Sequence, residues 1–139
     1  MARDVSDSTP ISAKAELVGW IAEGEKPASA FRLGTEHEKF PFYRDDLSPV
    51  PYEGRADGSA GGIRHLLEGM QQRLGWEPIV DAGHVIGLAG PDGGGAISLE
   101  PGGQFELSGA PVETVHETAE ELAAHLADVK AVAAPHGIG

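Results

Sequence analysis

Residues 96–109, AISLEPGGQFELSG, leave the chain few ways to fold. Two arms alternate apolar and polar residues, and the Pro101-Gly102-Gly103 run between them is turn chemistry, so the segment reads as a β-hairpin. A three-residue loop sets the register, with Glu100 opposite Gln104 and Ser98 opposite Glu106. Ser98 and Glu100 then share a face with Gln104, Glu106 and Ser108, while Leu99, Phe105 and Leu107 point into a core. Glu100 and Glu106 become diagonal neighbours, about 7–8 Å apart at Cα. The hairpin implies an antiparallel sheet with one apolar face and one acidic face.

A second segment repeats the chemistry. In FRLGTEHEKF, residues 31–40, period-two alternation places Glu36 and Glu38 on one face and Thr35 and His37 on the other. Its apolar first half, Phe31 and Leu33, suits packing on helices, which leaves the glutamates opposite. Two like-charged carboxylates side by side repel unless a cation sits between them or one stays protonated. If this strand joins the hairpin's sheet, four carboxylates converge on one face: Glu36, Glu38, Glu100 and Glu106. Oxygen donors of that kind suit a hard cation such as magnesium, which takes carboxylates, substrate phosphates and water. Taken singly, each glutamate is more often part of a solvated sheet face. What shifts the balance is that both segments alternate cleanly, carry apolar residues on the far side and present the same chemistry.

The remaining pattern frames this sheet. WEPIV and HVIGL read as two more strands, separated from each other and from the hairpin by DAG and AGPDGGG. Ile63, Leu66, Leu67, Met70 and Leu74 form the stripe of an amphipathic helix that stops at Gly75. Ser12 is placed to cap an earlier helix, AKAELVGWIAEG, with Leu17, Trp20 and Ile21 on one face and Gly24 at its end. A last helix begins with Pro111 in its first turn and carries Val112, Val115, Ala119, Leu122, Leu126, Val129 and Ala133 at spacings of three and four, ending at Pro135 and Gly137. Its glutamates, Glu113, Glu117, Glu120 and Glu121, crowd the N-terminal half, as the helix dipole favours. Residues 41–62, rich in proline, glycine and charge, read as a surface loop or mobile connection. The order helix, strand, helix, several strands, helix describes an α+β domain with a largely antiparallel sheet and flanking helices.

Composition excludes several functions. The 139 residues suffice for one domain. Ten Lys and Arg against 22 Asp and Glu give a net charge of −12, which argues against a basic nucleic-acid surface and against docking on anionic lipid. With no cysteine there is neither a disulfide framework nor a thiolate zinc site. The opening MARDVSDSTP lacks the apolar core of a signal peptide, and no stretch is apolar for a membrane-spanning length, so a cytoplasmic protein is the expectation. GPDGGG has no Lys-Ser or Lys-Thr after it and is a turn, not a phosphate cradle. Arg32, Arg44, Arg55, Arg64 and Arg73 could each meet an anion, and the sequence singles out none.

FRLGTEHEKF, followed by ISLEPGGQFELSGAP and ETVHETAEELAAHLADVKAVAAPHGIG, resembles the N-terminal part of glutamate–cysteine ligases of the plant-type group. The likeness covers nearly the whole chain, and two motifs in order with a matching helix make it specific. It implies a glutamine synthetase-like catalytic fold, incomplete here, with residues 1–139 as the N-terminal part of a single catalytic domain truncated at Gly139. It implies ligation of the γ-carboxylate of L-glutamate to the amine of L-cysteine with ATP and magnesium, through γ-glutamyl phosphate, as the first step of glutathione biosynthesis. Carried over, Glu36 and Glu38 are catalytic and metal-binding, and Glu100 and Glu106 complete the acidic face. Gln104 and Thr35 are candidates to hydrogen-bond substrate. The redox control by disulfides known in plant enzymes cannot operate without cysteine, and the segment by itself should be inactive. Two alternatives are a ligase that joins another amine to glutamate, and a non-catalytic truncated copy that serves as an interaction module.

Overall fold

The structure, a computed structural model, describes residues 8–139, so most of the MARDVSDSTP opening lies outside the described residues. Five strands form one antiparallel sheet: β1 (Glu36–His37), β2 (Glu77–Asp81), β3 (His84–Ala89), β4 (Ala96–Glu100) and β5 (Gln104–Ser108). Their order across the sheet is β1-β5-β4-β3-β2. The last four strands are a meander, and β1 arrives from far earlier in the chain to pair with β5. Three helices accompany them: α1 (Lys14–Glu23), α2 (Ile63–Leu74) and α3 (Val115–Ala133). None is long and apolar enough to cross a membrane.

The hairpin register follows from its loop. Glu100 pairs with Gln104 and Ser98 with Glu106, and Gly102 and Gly103 take φ of 86° and 79°, which glycine adopts without a side-chain clash. The core forms where the sheet's apolar face meets α2. Leu66, Leu67 and Met70 are buried against Leu88, Ile97 and Phe105, as the three-four stripe of α2 requires. Gly75 ends α2 in the left-handed conformation, φ 68°.

Three expectations change. The first concerns α1, which forms, but Ala13 stands at its N-cap and Ser12 bonds the Glu16 carboxylate instead. None of its residues is buried, and Trp20 is 78% exposed. Its apolar stripe is therefore a real face with no partner among the described residues. The second is α3, which begins at Val115 and not near Pro111. Thr114 accepts from the Glu117 amide and the Glu117 carboxylate accepts from the Thr114 amide, a reciprocal cap that fixes the start. Val112 pairs instead with Leu33 through two backbone hydrogen bonds, which also leaves the Phe31–Leu33 stretch largely exposed outside the strand.

The third is the loop at 41–62, which is built into the core. Tyr43 and Val50 are buried, the Tyr43 hydroxyl donates to the Gly61 carbonyl, and the Tyr52 hydroxyl donates to the Val85 carbonyl. The Arg55 guanidinium lies 4.2 Å from the centre of the Tyr43 ring and pairs with Asp45 and Asp46. Aromatic rings, invisible to a reading based on proline and glycine, anchor the segment.

Candidate functional site

The register places the acidic face. Glu36 pairs with Ser108, and reciprocal backbone bonds between Lys39 and Phe105 carry the ladder past His37. Glu38 therefore lies opposite Glu106. By alternation Glu36, Glu38, Ser98, Glu100, Gln104, Glu106 and Ser108 share one side of three adjacent strands. His37, Lys39, Ile97, Phe105 and Leu107 occupy the other. The four glutamates expected to share a face do so. Thr35 alternates to the far side, and it is its carbonyl that engages β5, accepting from the Gly109 amide at 2.7 Å.

Glu106 is the centre of this face. It is only 3% exposed, and its carboxylate accepts from the hydroxyls of Ser98 at 2.9 Å and Ser108 at 3.1 Å. Burial pushes its pKa up, but hydrogen bonds from Ser98, Glu100 and Ser108 outweigh this and hold it below the ordinary carboxylate value. Glu100 moves the opposite way. Its hydrogen bond to Glu106, partial burial and the negative charges of Glu106 and Glu38 push its pKa up. The fold thus favours the ionised form at Glu106 and penalises a second negative charge at Glu100. Gln104 donates its amide to the Glu38 carboxylate and so ties β1 to the hairpin through side chains.

Among the described residues, no three His, Asp or Glu side chains converge closely enough to form a finished metal cage. The donor chemistry nevertheless fits a hard divalent cation. Every polar group on the face offers oxygen, or in Gln104 an amide, and the like-charge repulsion that raises the Glu100 pKa is what a cation would relieve.

Two residues under the sheet escaped the sequence reading. Lys39 is half-buried and donates to the His37 carbonyl at 2.7 Å. Burial lowers its pKa to about 8 against the opposing charge of Glu106. Alternation had already put it on the apolar side, an unusual place for a lysine. His125, on α3, is 6% exposed, stacks against Phe105 with ring centroids 6.4 Å apart, and its Nε2 has no hydrogen-bond partner. Burial, then the positive charges of Lys39 and His37, lower its pKa to about 4 against the pull of Asp128.

A neutral buried histidine makes stability depend on pH. The unfolded chain binds a proton near pH 6.5 that the folded chain refuses until about pH 4, so stability is lost as pH falls through that window. The expected loss is about 2 kcal/mol between pH 7 and pH 4.5. In urea titrations at both pH values, a His125→Leu variant should lose less on acidification than the parent by that amount. Identical losses in the two proteins would show that His125 is protonated in the fold.

Comparisons with known proteins agree with the acidic motifs. The family model for glutamate–cysteine ligase family 2 matches residues 32–139. The chain is 48% identical over 126 residues to glutamate–cysteine ligase A, chloroplastic, of Oryza sativa subsp. japonica, covering 91% of this chain and 24% of that protein. It is likewise 48% identical over 126 residues to glutamate–cysteine ligase, chloroplastic, of Solanum lycopersicum, covering 91% and 22%. For the protein of that name from Arabidopsis thaliana the figures are 46% over 124 residues, 89% and 22%. The chain thus spans about a quarter of the length of these relatives. All three are chloroplastic by name, which overturns the expectation of a cytoplasmic protein. A polar opening argues against a secretory apolar core and carries no information on any other compartment.

Proposed function

The chain belongs to glutamate–cysteine ligase family 2, and on that premise we propose that it is the N-terminal part of a catalytic domain that joins the γ-carboxylate of L-glutamate to the amine of L-cysteine using ATP. The reaction runs through γ-glutamyl phosphate and yields γ-glutamylcysteine, the first intermediate of glutathione biosynthesis. The observation that carries this reading is the face itself: four glutamates on three adjacent strands, with Glu106 buried at the centre and held by two serine hydroxyls.

Glu36, Glu38, Glu100 and Glu106 would hold magnesium, which when bound offsets phosphate charge and stabilises the charge that develops during phosphoryl transfer. The protein's part is preorganisation. Ser98 and Ser108 fix both oxygens of Glu106. Gln104 fixes Glu38. Carboxylates must be ionised to hold a cation, and Glu100 is harder to ionise than an ordinary glutamate, so cation affinity should rise with pH. Phe105 and Leu107, buried on the reverse side, hold β5 rigid beneath these groups. The cationic groups that grip nucleotide phosphates would come from the other three-quarters of a relative-sized protein, so residues 1–139 alone should form no γ-glutamylcysteine.

Calorimetry with a non-hydrolysable ATP analogue and magnesium tests the site. The product of the full open reading frame containing these residues should bind, the 139-residue chain only feebly, and Glu36→Ala, Glu38→Ala in the full product should weaken binding by roughly a hundredfold. Equal binding by the double variant would reduce the glutamates to a solvated sheet face.

A further inference from the structure

On the side of the sheet away from the glutamates lies a pocket of about 370 Å³ between β5, α2 and α3. Its walls are apolar, with Leu66, Phe105, Leu126, Val129 and Ile138 among them. Three cations also line it: Lys39, Arg44 and Lys130. This is unexpected in a chain of net charge −12.

The other arginines that the sequence could not tell apart are all committed. Arg32 pairs with Glu113, Arg55 with Asp45 and Asp46, Arg64 with Glu53 and Glu68, and Arg73 with Asp128. Among the described residues, neither Arg44, Lys39 nor Lys130 takes part in an ion pair. The hydrogen bonds of Lys39 go to the carbonyl and ring nitrogen of His37. An abundantly acidic protein has therefore placed three cations that form no salt bridge among the described residues around one apolar hollow.

We propose that this pocket binds an amphipathic monocarboxylate, its medium-length acyl or aryl body lying against Phe105, Leu126 and Val129 and its carboxylate among Lys39, Arg44 and Lys130. The volume falls within the range of ordinary ligand sites, and the composition matches them: mostly apolar walls with a few convergent polar groups that fix orientation. The unpaired cations choose the sign of the head group, and the apolar walls exclude small hydrophilic anions such as acetate, which gain nothing from burial. Because the pocket and the acidic face lie on opposite sides of β5, this inference is independent of the ligase reading. Its test needs neither ATP nor glutamate.

Decanoate, decanol and acetate serve as probes, titrated by calorimetry into the product of the full open reading frame and into the 139-residue chain. Decanoate should bind both proteins, with decanol and acetate each weaker. The double variant Arg44→Gln, Lys130→Gln changes two exposed side chains and should melt at the parent's temperature. It should weaken decanoate by roughly five- to tenfold and leave decanol unchanged. Equal decanoate binding by parent and double variant would overturn the proposal. Binding to the short chain but not to the full product would overturn it too, because the protein's own continuation would then fill the pocket. Absence of binding to both would do the same.

Discussion

A Phe105→Ala variant should lose about 4 kcal/mol of stability, read from urea denaturation at pH 7. Phe105 is 1% exposed at the middle of β5, the strand that both halves of the acidic face share. Removing its ring costs the transfer energy of the lost carbons and opens a cavity beneath Glu106 that β5, paired on both sides, cannot collapse to fill. Domains of this size have total stabilities of about 5–15 kcal/mol, so the variant should be close to unfolding at 37 °C. Trp20→Ala provides the contrast. Its ring is larger, but it is 78% exposed on α1, and its loss should change stability by less than about 0.5 kcal/mol. If the tryptophan variant lost as much as the phenylalanine variant, α1 would be packed in solution on a surface absent from this fold.

That contrast marks where sequence stops informing. The hairpin was legible down to its residue pairs, because a loop of fixed length leaves period-two alternation no freedom of register. The α2 stripe was equally plain, since Ile63, Leu66, Leu67 and Met70 recur at the helix period and all are buried. Periodicity shows that a face is apolar and says nothing of whether another element covers it. The exposed Leu17, Trp20 and Ile21 of α1 carry the same pattern as the buried stripe of α2. The start of α3 was misplaced because a proline is a weaker signal than the reciprocal Thr114–Glu117 cap, and because Val112 had a partner in Leu33 that no local pattern reveals. The site was legible as a set of residues on one face. Its charge balance was not. That Glu106 is shifted down and Glu100 up depends on the Ser98 and Ser108 hydroxyls, whose place opposite and beside Glu106 is set by strand pairing.

Glu106→Gln should separate stability from activity more sharply than any other single change. Glutamine fills the same volume and can still meet the hydroxyls of Ser98 and Ser108, which rotate to donate or accept. Burying a charged carboxylate is costly, and only the surrounding hydrogen bonds hold it in place, so its neutral isostere should leave stability within about 1 kcal/mol of the parent. The site, however, would lose the one carboxylate the fold keeps ionised out of water. With it goes part of the negative charge that the proposed cation needs, and with Glu106 neutral the pKa of Glu100 should fall towards its ordinary value. In the product of the full open reading frame, kcat/KM for γ-glutamylcysteine formation should therefore drop roughly 10²- to 10³-fold at an unchanged melting temperature. A fall in activity accompanied by an equal collapse of stability would make Glu106 a strut of the sheet. Full activity in the glutamine variant would mean that the proposed cation, if it binds this face at all, is held by Glu36, Glu38 and Glu100 without the buried charge between them.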